Sequence, residues 1–249
     1  MIDLSPTLIA AIAATFFAAG VVKGVTGMGL PTVAMGVLGA LLSPLAAAGL
    51  LLVPSFVTNV WQLLAGPGFG PLARRLWPMM AAIVAGTALG AAWLASGDTG
   101  PTTTALGCAL VAYAAFTLLA RQLAVPPRIE PWLSPLIGGA TGLVTGGTGV
   151  FVIPAVPYLQ ALGLAKDDLI QVLGLSFTVS TLALAAGLGA RGAFSPETLG
   201  ASAAAVVPAL AGMWAGQKMR ALISPQAFRR WFLVGLLLLG LEMAIRPLL

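Results

Sequence analysis

The chain carries very little charge. Only 8% of its 249 residues are Asp, Glu, Lys or Arg, against about 25% in a soluble domain, so a water-facing surface cannot be built from them. Histidine is absent, which removes the commonest neutral-pH proton shuttle and metal ligand. The one cysteine, Cys108, has no partner for an internal disulfide and reads as a small hydrophobe in an apolar run. Carboxylates are scarce. Asp167 and Asp168 open a helix, and Glu242 lies one turn from Arg246. Apart from Glu197, the first residue of its run, no other acid falls inside an apolar run, so a carboxylate proton relay, a carboxylate-rich sodium site and a metal-cation permease all lack support. A membrane-embedded enzyme would need a nucleophile and base or a set of metal ligands, and neither is there; no cofactor is expected. Regular apolar–polar alternation is missing, which argues against a β-barrel. The formal charge of +5 comes without a long basic cluster, so it points to cytoplasmic loops and not to nucleic acid.

What is abundant is apolar: 59% hydrophobic residues, with 31 glycines and 18 prolines. Apolar runs fall at about 7–23, 28–42, 44–65, 77–96 and 101–120, and again at about 132–145, 149–163, 168–190, 197–217 and 227–246. A spanning helix needs ~20 residues. Each half therefore opens with two short segments and continues with three full ones, in an all-α polytopic membrane protein. The start, Met1-Ile2-Asp3-Leu4-Ser5-Pro6, lacks the basic region of a cleavable signal, so the first run reads as a retained membrane segment. Between the halves, the Pro-rich stretch Arg121 to Pro131 cannot continue a buried helix. The expected organisation is a repeat over 1–122, a cytoplasmic linker over 123–130 and a second repeat over 131–249. Arg74, Arg75, Arg121, Arg128, Lys166, Lys218, Arg220, Arg229 and Arg230 fall on one side, against Arg191 and Arg246 on the other. The positive-inside rule makes the first side cytoplasmic. Both termini then face out, and the five-segment repeats are inverted.

Two glycine-rich blocks interrupt the apolar runs at matching places: Gly24-Val25-Thr26-Gly27-Met28-Gly29 and Gly142-Leu143-Val144-Thr145-Gly146-Gly147-Thr148-Gly149. Duplicated halves with matching glycine-broken segments are the pattern of a secondary transporter. Non-helical backbone at membrane depth is tolerated only when buried in protein or lining a cavity. A helix that starts at such a break presents unpaired N–H groups and its positive dipole end, and the guest for that is a small anion. The candidate site is Lys23, Gly24, Thr26, Gly27, Met28 and Gly29 from the first break and Thr145, Gly146, Gly147, Thr148 and Gly149 from the second. Lys23 either holds the anion or snorkels to a headgroup; Thr141 or Leu143 stands opposite it in the second half. The third segment of each half adds Ser55, Asn59 and Gln62, and Ser176 and Ser180, with Thr58, Thr178, Thr181 and Gln171 nearby. Serine and threonine often bond their own backbone in membrane helices, whereas Asn59 and Gln62 need partners in an apolar interior. Gly86 with Gly90, and Gly212 with Gly216, read as close helix contacts.

The first glycine block, its second copy running into Val150-Phe151-Val152-Ile153-Pro154, and the Ser-Phe pairs Ser55-Phe56 and Ser176-Phe177 resemble the TauE/SafE family of sulfite exporters. The resemblance covers nearly the whole chain. It implies export of sulfite, sulfoacetate or a related organosulfur anion, with glycine loops at Gly24, Gly27 and Gly29 and at Gly142, Gly146, Gly147 and Gly149. The first break is one residue shorter than the second, so the two halves of the site need not be equivalent. The expected protein is an inner-membrane exporter working by alternating access, its partners a small inorganic or organosulfur anion and the lipid bilayer. A passive anion channel of the same architecture is the alternative, and a homodimer is left open.

Overall fold

The computed structural model describes residues 5–66, 68–119 and 124–246. The N-terminal residues 1–4 and residues 121–123, where the first repeat gives way to the linker, fall outside them. Among the described residues the chain is helical, with no strand. In order come α1 (Pro6–Thr26), α2 (Leu30–Leu41), α3 (Pro44–Leu64), α4 (Phe69–Leu94) and α5 (Thr99–Leu119). Then follow α6 (Glu130–Thr148), α7 (Ala155–Ala161), α8 (Lys166–Gly189), α9 (Pro196–Ala204), α10 (Val206–Met219) and α11 (Pro225–Ile245). Every apolar run of the sequence has its helix. Two details differ. The second short segment of the second half keeps only the seven residues of α7. The ninth run is interrupted at Ala205, where Pro208 cannot donate the next backbone bond, so α9 and α10 form one kinked rod. Among the described residues six helices are long and apolar enough to cross a membrane, with α9 and α10 counted as one.

Four helices share one start signal. Ser5-Pro6, Ser43-Pro44, Ser195-Pro196 and Ser224-Pro225 place a serine at the cap and a proline in the first turn. Each serine oxygen accepts an N–H from three residues on, as Leu8 N donates to Ser5 Oγ at 3.3 Å and Ala46 N to Ser43 Oγ at 3.2 Å. The proline uses a position where a helix has no internal bond for its N–H. Many of the chain's prolines therefore begin helices instead of breaking them.

Glycine sets the packing. α1 lies along α10, with Phe17 meeting Gly212 and Val21 meeting Gly216. α6 lies along α4, with Met79 meeting Gly138, Ile83 meeting Gly142 and Thr87 meeting Gly146. Residue numbers rise together in both pairs, so each pair is parallel. A Cβ on Gly90 would stand 2.5 Å from Leu143 O, and one on Gly146 would stand 2.5 Å from Thr87 O. Backbone is therefore packed on backbone. α3 and α8 occupy the centre as the most buried spans. They run antiparallel: Ser55 meets Thr181, Leu63 meets Gly174 and Gln62 reaches Ile170. α5 and α11 are antiparallel too, crossing where Gly107 meets Gly240 and Ala244. Pro54 kinks α3 and leaves Leu50 O without its helical donor. Ser202 of α9 fills the gap, donating to Leu50 O at 2.8 Å and accepting from Val53 N at 3.1 Å.

Candidate functional site

The interruptions are narrower than the glycine blocks. α1 stays helical through Thr26, and non-helical backbone is confined to Gly27–Gly29. α6 stays helical through Thr148, and the irregular stretch runs from Gly149 to Pro154. Gly24 and Gly146 are helix-contact residues. Gly24 faces the backbone of Met213, Gly216 and Gln217, and Gly146 faces Thr87, Gly90 and Ala91. Gly142 packs in the same way on Ile83, Gly86 and Thr87, and Gly147 lies under the ring of Trp93. Left-handed backbone occurs only at Gly27 (φ 79), Gly29 (φ 103) and Gly149 (φ 72) within these blocks. These are the positions where glycine is needed for its backbone freedom.

The two helix ends are built alike. Thr26 Oγ1 donates to Val22 O at 2.8 Å, and Met28 N donates back to it at 3.3 Å. Thr148 Oγ1 donates to Val144 O at 2.6 Å, and Val150 N donates back at 3.2 Å. Gly27 N then bonds Lys23 O at 2.7 Å, and Gly149 N bonds Thr145 O at 2.8 Å. This register sets Lys23 opposite Thr145, in place of Thr141 or Leu143. Thr145 spends its own hydroxyl on Thr141 O at 2.7 Å. Beyond the two ends the halves diverge. After the first, α2 begins at Leu30, and its first turn leaves the Leu30 and Thr32 amides without a helical acceptor, Pro31 between them having no N–H; after the second, α7 is barely two turns. The breaks are also offset. Gly29 starts α2, and Gly149 packs on Met35 of the same helix, about 9 Å along it at 1.5 Å per residue.

Lys23 is the centre of the polar interior. It is 4% exposed. Its ammonium donates to Asn59 Oδ1 and, at 3.2 Å, to Thr58 Oγ1. An ammonium accepts nothing, so Asn59 turns its oxygen to Lys23 and its amide nitrogen away. That nitrogen donates to Ser55 Oγ at 2.9 Å, and Ser55 Oγ lies 3.2 Å from Thr181 Oγ1. Thr181 Oγ1 itself donates to Phe177 O at 2.7 Å, so Ser55 donates to Thr181. All the bonds therefore point the same way, from Lys23 across α3 into α8, with α1, α3 and α8 joined in one network. Among the described residues no carboxylate takes part. The ion pairs among the described residues are Arg75–Glu130, at 2.6 Å, and Arg246–Glu242, at 3.8 Å. The Lys23 charge is thus held by neutral oxygens alone. Burying an ion without its counter-ion costs several kcal/mol.

One turn from Asn59, two glutamines stitch α3 to α8. Gln62 Nε2 donates to Ile170 O at 2.9 Å, and its Oε1 is buried without a partner among the described residues. Gln171 Nε2 donates to Leu63 O and Gly66 O, both at 2.8 Å, while its Oε1 accepts from Gly68 N at 2.7 Å. Gln171 thereby caps the end of α3, a job that its polarity alone did not announce. Ser176 and Ser180 share one face of α8, both buried and both with unpartnered Oγ among the described residues. The structure therefore joins Lys23, Asn59 and Ser55 directly, sets Gln62 one turn away, and keeps Gly146 and Gly147 apart on the α4–α6 contact.

A family model described as Sulfite exporter TauE/SafE matches residues 12–243. The chain belongs to the TauE/SafE family. No curated protein and no solved structure matches it. Membership in TauE/SafE, together with the apolar helices, makes it a multi-pass membrane exporter of sulfite or a related sulfonate. The TauE/SafE family is a transporter family.

Proposed function

We propose that the exported oxyanion binds at Lys23 and that alternating access of this site carries it outward across the bacterial inner membrane. The observation that carries the reading is the buried ammonium with neutral partners only. A monoanion supplies the missing charge, and charge-assisted bonds to its oxygens are the strong kind. Asn59 and Thr58 position the ammonium, Ser55 and Thr181 position Asn59, and the first-turn amides of α2 stand one break away. Gly27 and Gly29 leave Met28 as the one side chain of that break. The inverted arrangement of the halves is part of the proposal. It is supported by the two parallel pairs, α1 with α10 and α4 with α6, and by the antiparallel central pairs α3–α8 and α5–α11. In that arrangement both termini face out, and the Gln62–Gln171 seam seals the cytoplasmic side of Lys23. Opening the seam admits the anion, and closing it permits release outward. A cytoplasm-negative potential favours outward movement of a monoanion by about 2.3 kcal/mol per 100 mV, so no intramembrane acid is required.

The test is sulfite flux from liposomes holding the purified protein. Saturable flux at carrier rates, lost in Lys23→Met, supports the reading. Non-saturating flux far above carrier turnover would assign a passive anion channel instead.

A further inference from the structure

The α5–α11 pair leaves a groove open at the end away from its glycine crossing. Glycine draws them together at one crossing, where a Cβ on Gly107 would stand 2.5 Å from Ala244 N and 2.6 Å from Gly240 O. Toward Leu119 and Gln226 the side chains are larger and a groove of about 570 Å³ opens. Gln226, Arg229 and Arg230 line its head, while Leu118, Leu233 and Val234 line the rest. A second groove of about 570 Å³ runs along the other side of Arg230 and is walled by Trp231, whose side chain is 77% exposed. Among the described residues neither arginine has a salt-bridge partner. Both stand in the first half of α11, where the helix dipole gives them no favourable end.

We infer that this wedge is a binding site for one anionic phospholipid, its phosphate held by Arg229 and Arg230 and an acyl chain lying over Leu118, Leu233 and Val234. Guanidinium groups match phosphate oxygens in a planar, two-bond geometry. Unpaired basic groups at the head of a groove between membrane helices select lipids of net negative charge. The apolar continuation of the groove is what separates a lipid from a free anion, which would need only the arginines. The site also abuts the transport region. Phe232, in the same turn of α11, lies 3.6 Å from where a Cβ on Gly29 would stand, and Tyr113, one turn before Thr117, donates to Met28 Sδ at 3.7 Å. A lipid in the wedge therefore backs directly onto the residues that pack the first break. This inference does not depend on where the transported anion binds.

Native mass spectrometry of the full-length protein, with phosphatidylglycerol or phosphatidylcholine added, tests it. The expected result is a single retained phosphatidylglycerol, favoured roughly tenfold or more over phosphatidylcholine. Arg229→Gln with Arg230→Gln should bring the preference to within about threefold, while Arg74→Gln with Arg220→Gln, which removes two cations elsewhere, should leave it intact. Equal retention of the two lipids, or equal losses in both double variants, would overturn the site. Should the first double variant fail to fold, a photoactivatable phosphatidylglycerol on the unmodified protein keeps the question decidable. Its adducts should map to 113–119 and 226–234, and adducts elsewhere would refute the assignment. Displacement of the lipid by glycerol phosphate alone would also overturn it. So would disulfide trapping of a second copy across Leu119→Cys in a Cys108→Ala background.

Discussion

Replacing Lys23 with Met should separate binding from stability, because the two respond in opposite directions. The substitution keeps the apolar stem and removes the ammonium. In the folded protein it relieves a buried charge that has only neutral partners, an arrangement that costs several kcal/mol. It also strands Asn59 Oδ1, which loses its donor; an unsatisfied buried acceptor costs about 1–3 kcal/mol. The first effect is the larger, so the variant should melt at the same temperature or higher. For the anion the balance is reversed. A hydrogen bond to a charged group is worth about 1.5–3 kcal/mol, which is on the order of ten- to a hundred-fold in affinity. Titration calorimetry with sulfite and a thermal melt of the same detergent-purified sample read both quantities. Weaker binding in a protein no less stable is expected. Unchanged sulfite affinity, or a melting point lowered by many degrees with affinity retained, would refute the reasoning and return Lys23 to a structural role.

Three other outcomes rest on the packing, the caps and the charge distribution. Gly24→Ala should abolish folded protein, since its Cβ would enter the backbone of Met213, Gly216 and Gln217, whereas Gly27→Ala meets nothing within 4 Å and carries only the left-handed strain, about 1–2 kcal/mol; yields in detergent and thermal melts would separate them, and equal behaviour would contradict the contact. Gln171→Ala removes the cap of α3 and the bonds to Leu63, Gly66 and Gly68, so a Thr58→Cys reporter in a Cys108→Ala background should react severalfold faster with a thiol reagent from the cytoplasmic side; an unchanged rate would mean that the seam is not the seal. For the orientation, a cysteine at Asp98 should label from outside in intact cells and one at Arg128 should not, and the reverse pattern would invert the topology.

Much of the helical layout was legible because apolar run length carries it directly: all of the runs became helices. The close-contact reading of Gly86, Gly90, Gly212 and Gly216 also matches the packing. What the sequence hid is which glycines do which job. Gly24, Gly142 and Gly146 sit in the same blocks as Gly27 and Gly149, yet only the latter pair ends a helix. The difference lies in neighbours more than fifty residues away that no local pattern records. The register of the two halves was hidden for the same reason, and so was the company of Lys23. Its alternatives, anion site or snorkelling, turn on whether Asn59 lies within reach, 36 residues on. The Ser-Pro starts were readable, since cap and first-turn proline are adjacent in sequence. Gln171 could have been flagged by its amide in an apolar run, but its target, the loose end of α3, exists only once α3 and α8 cross.

The most direct measurement is a structure of the protein with sulfite, or with the more electron-dense selenite, bound in nanodiscs. An anion whose oxygen lies within hydrogen-bond distance of Lys23 Nζ, beside Asn59 and the start of α2, is the expected result. An anion ordered elsewhere, with Lys23 still bonded only to Asn59 and Thr58, would contradict the account.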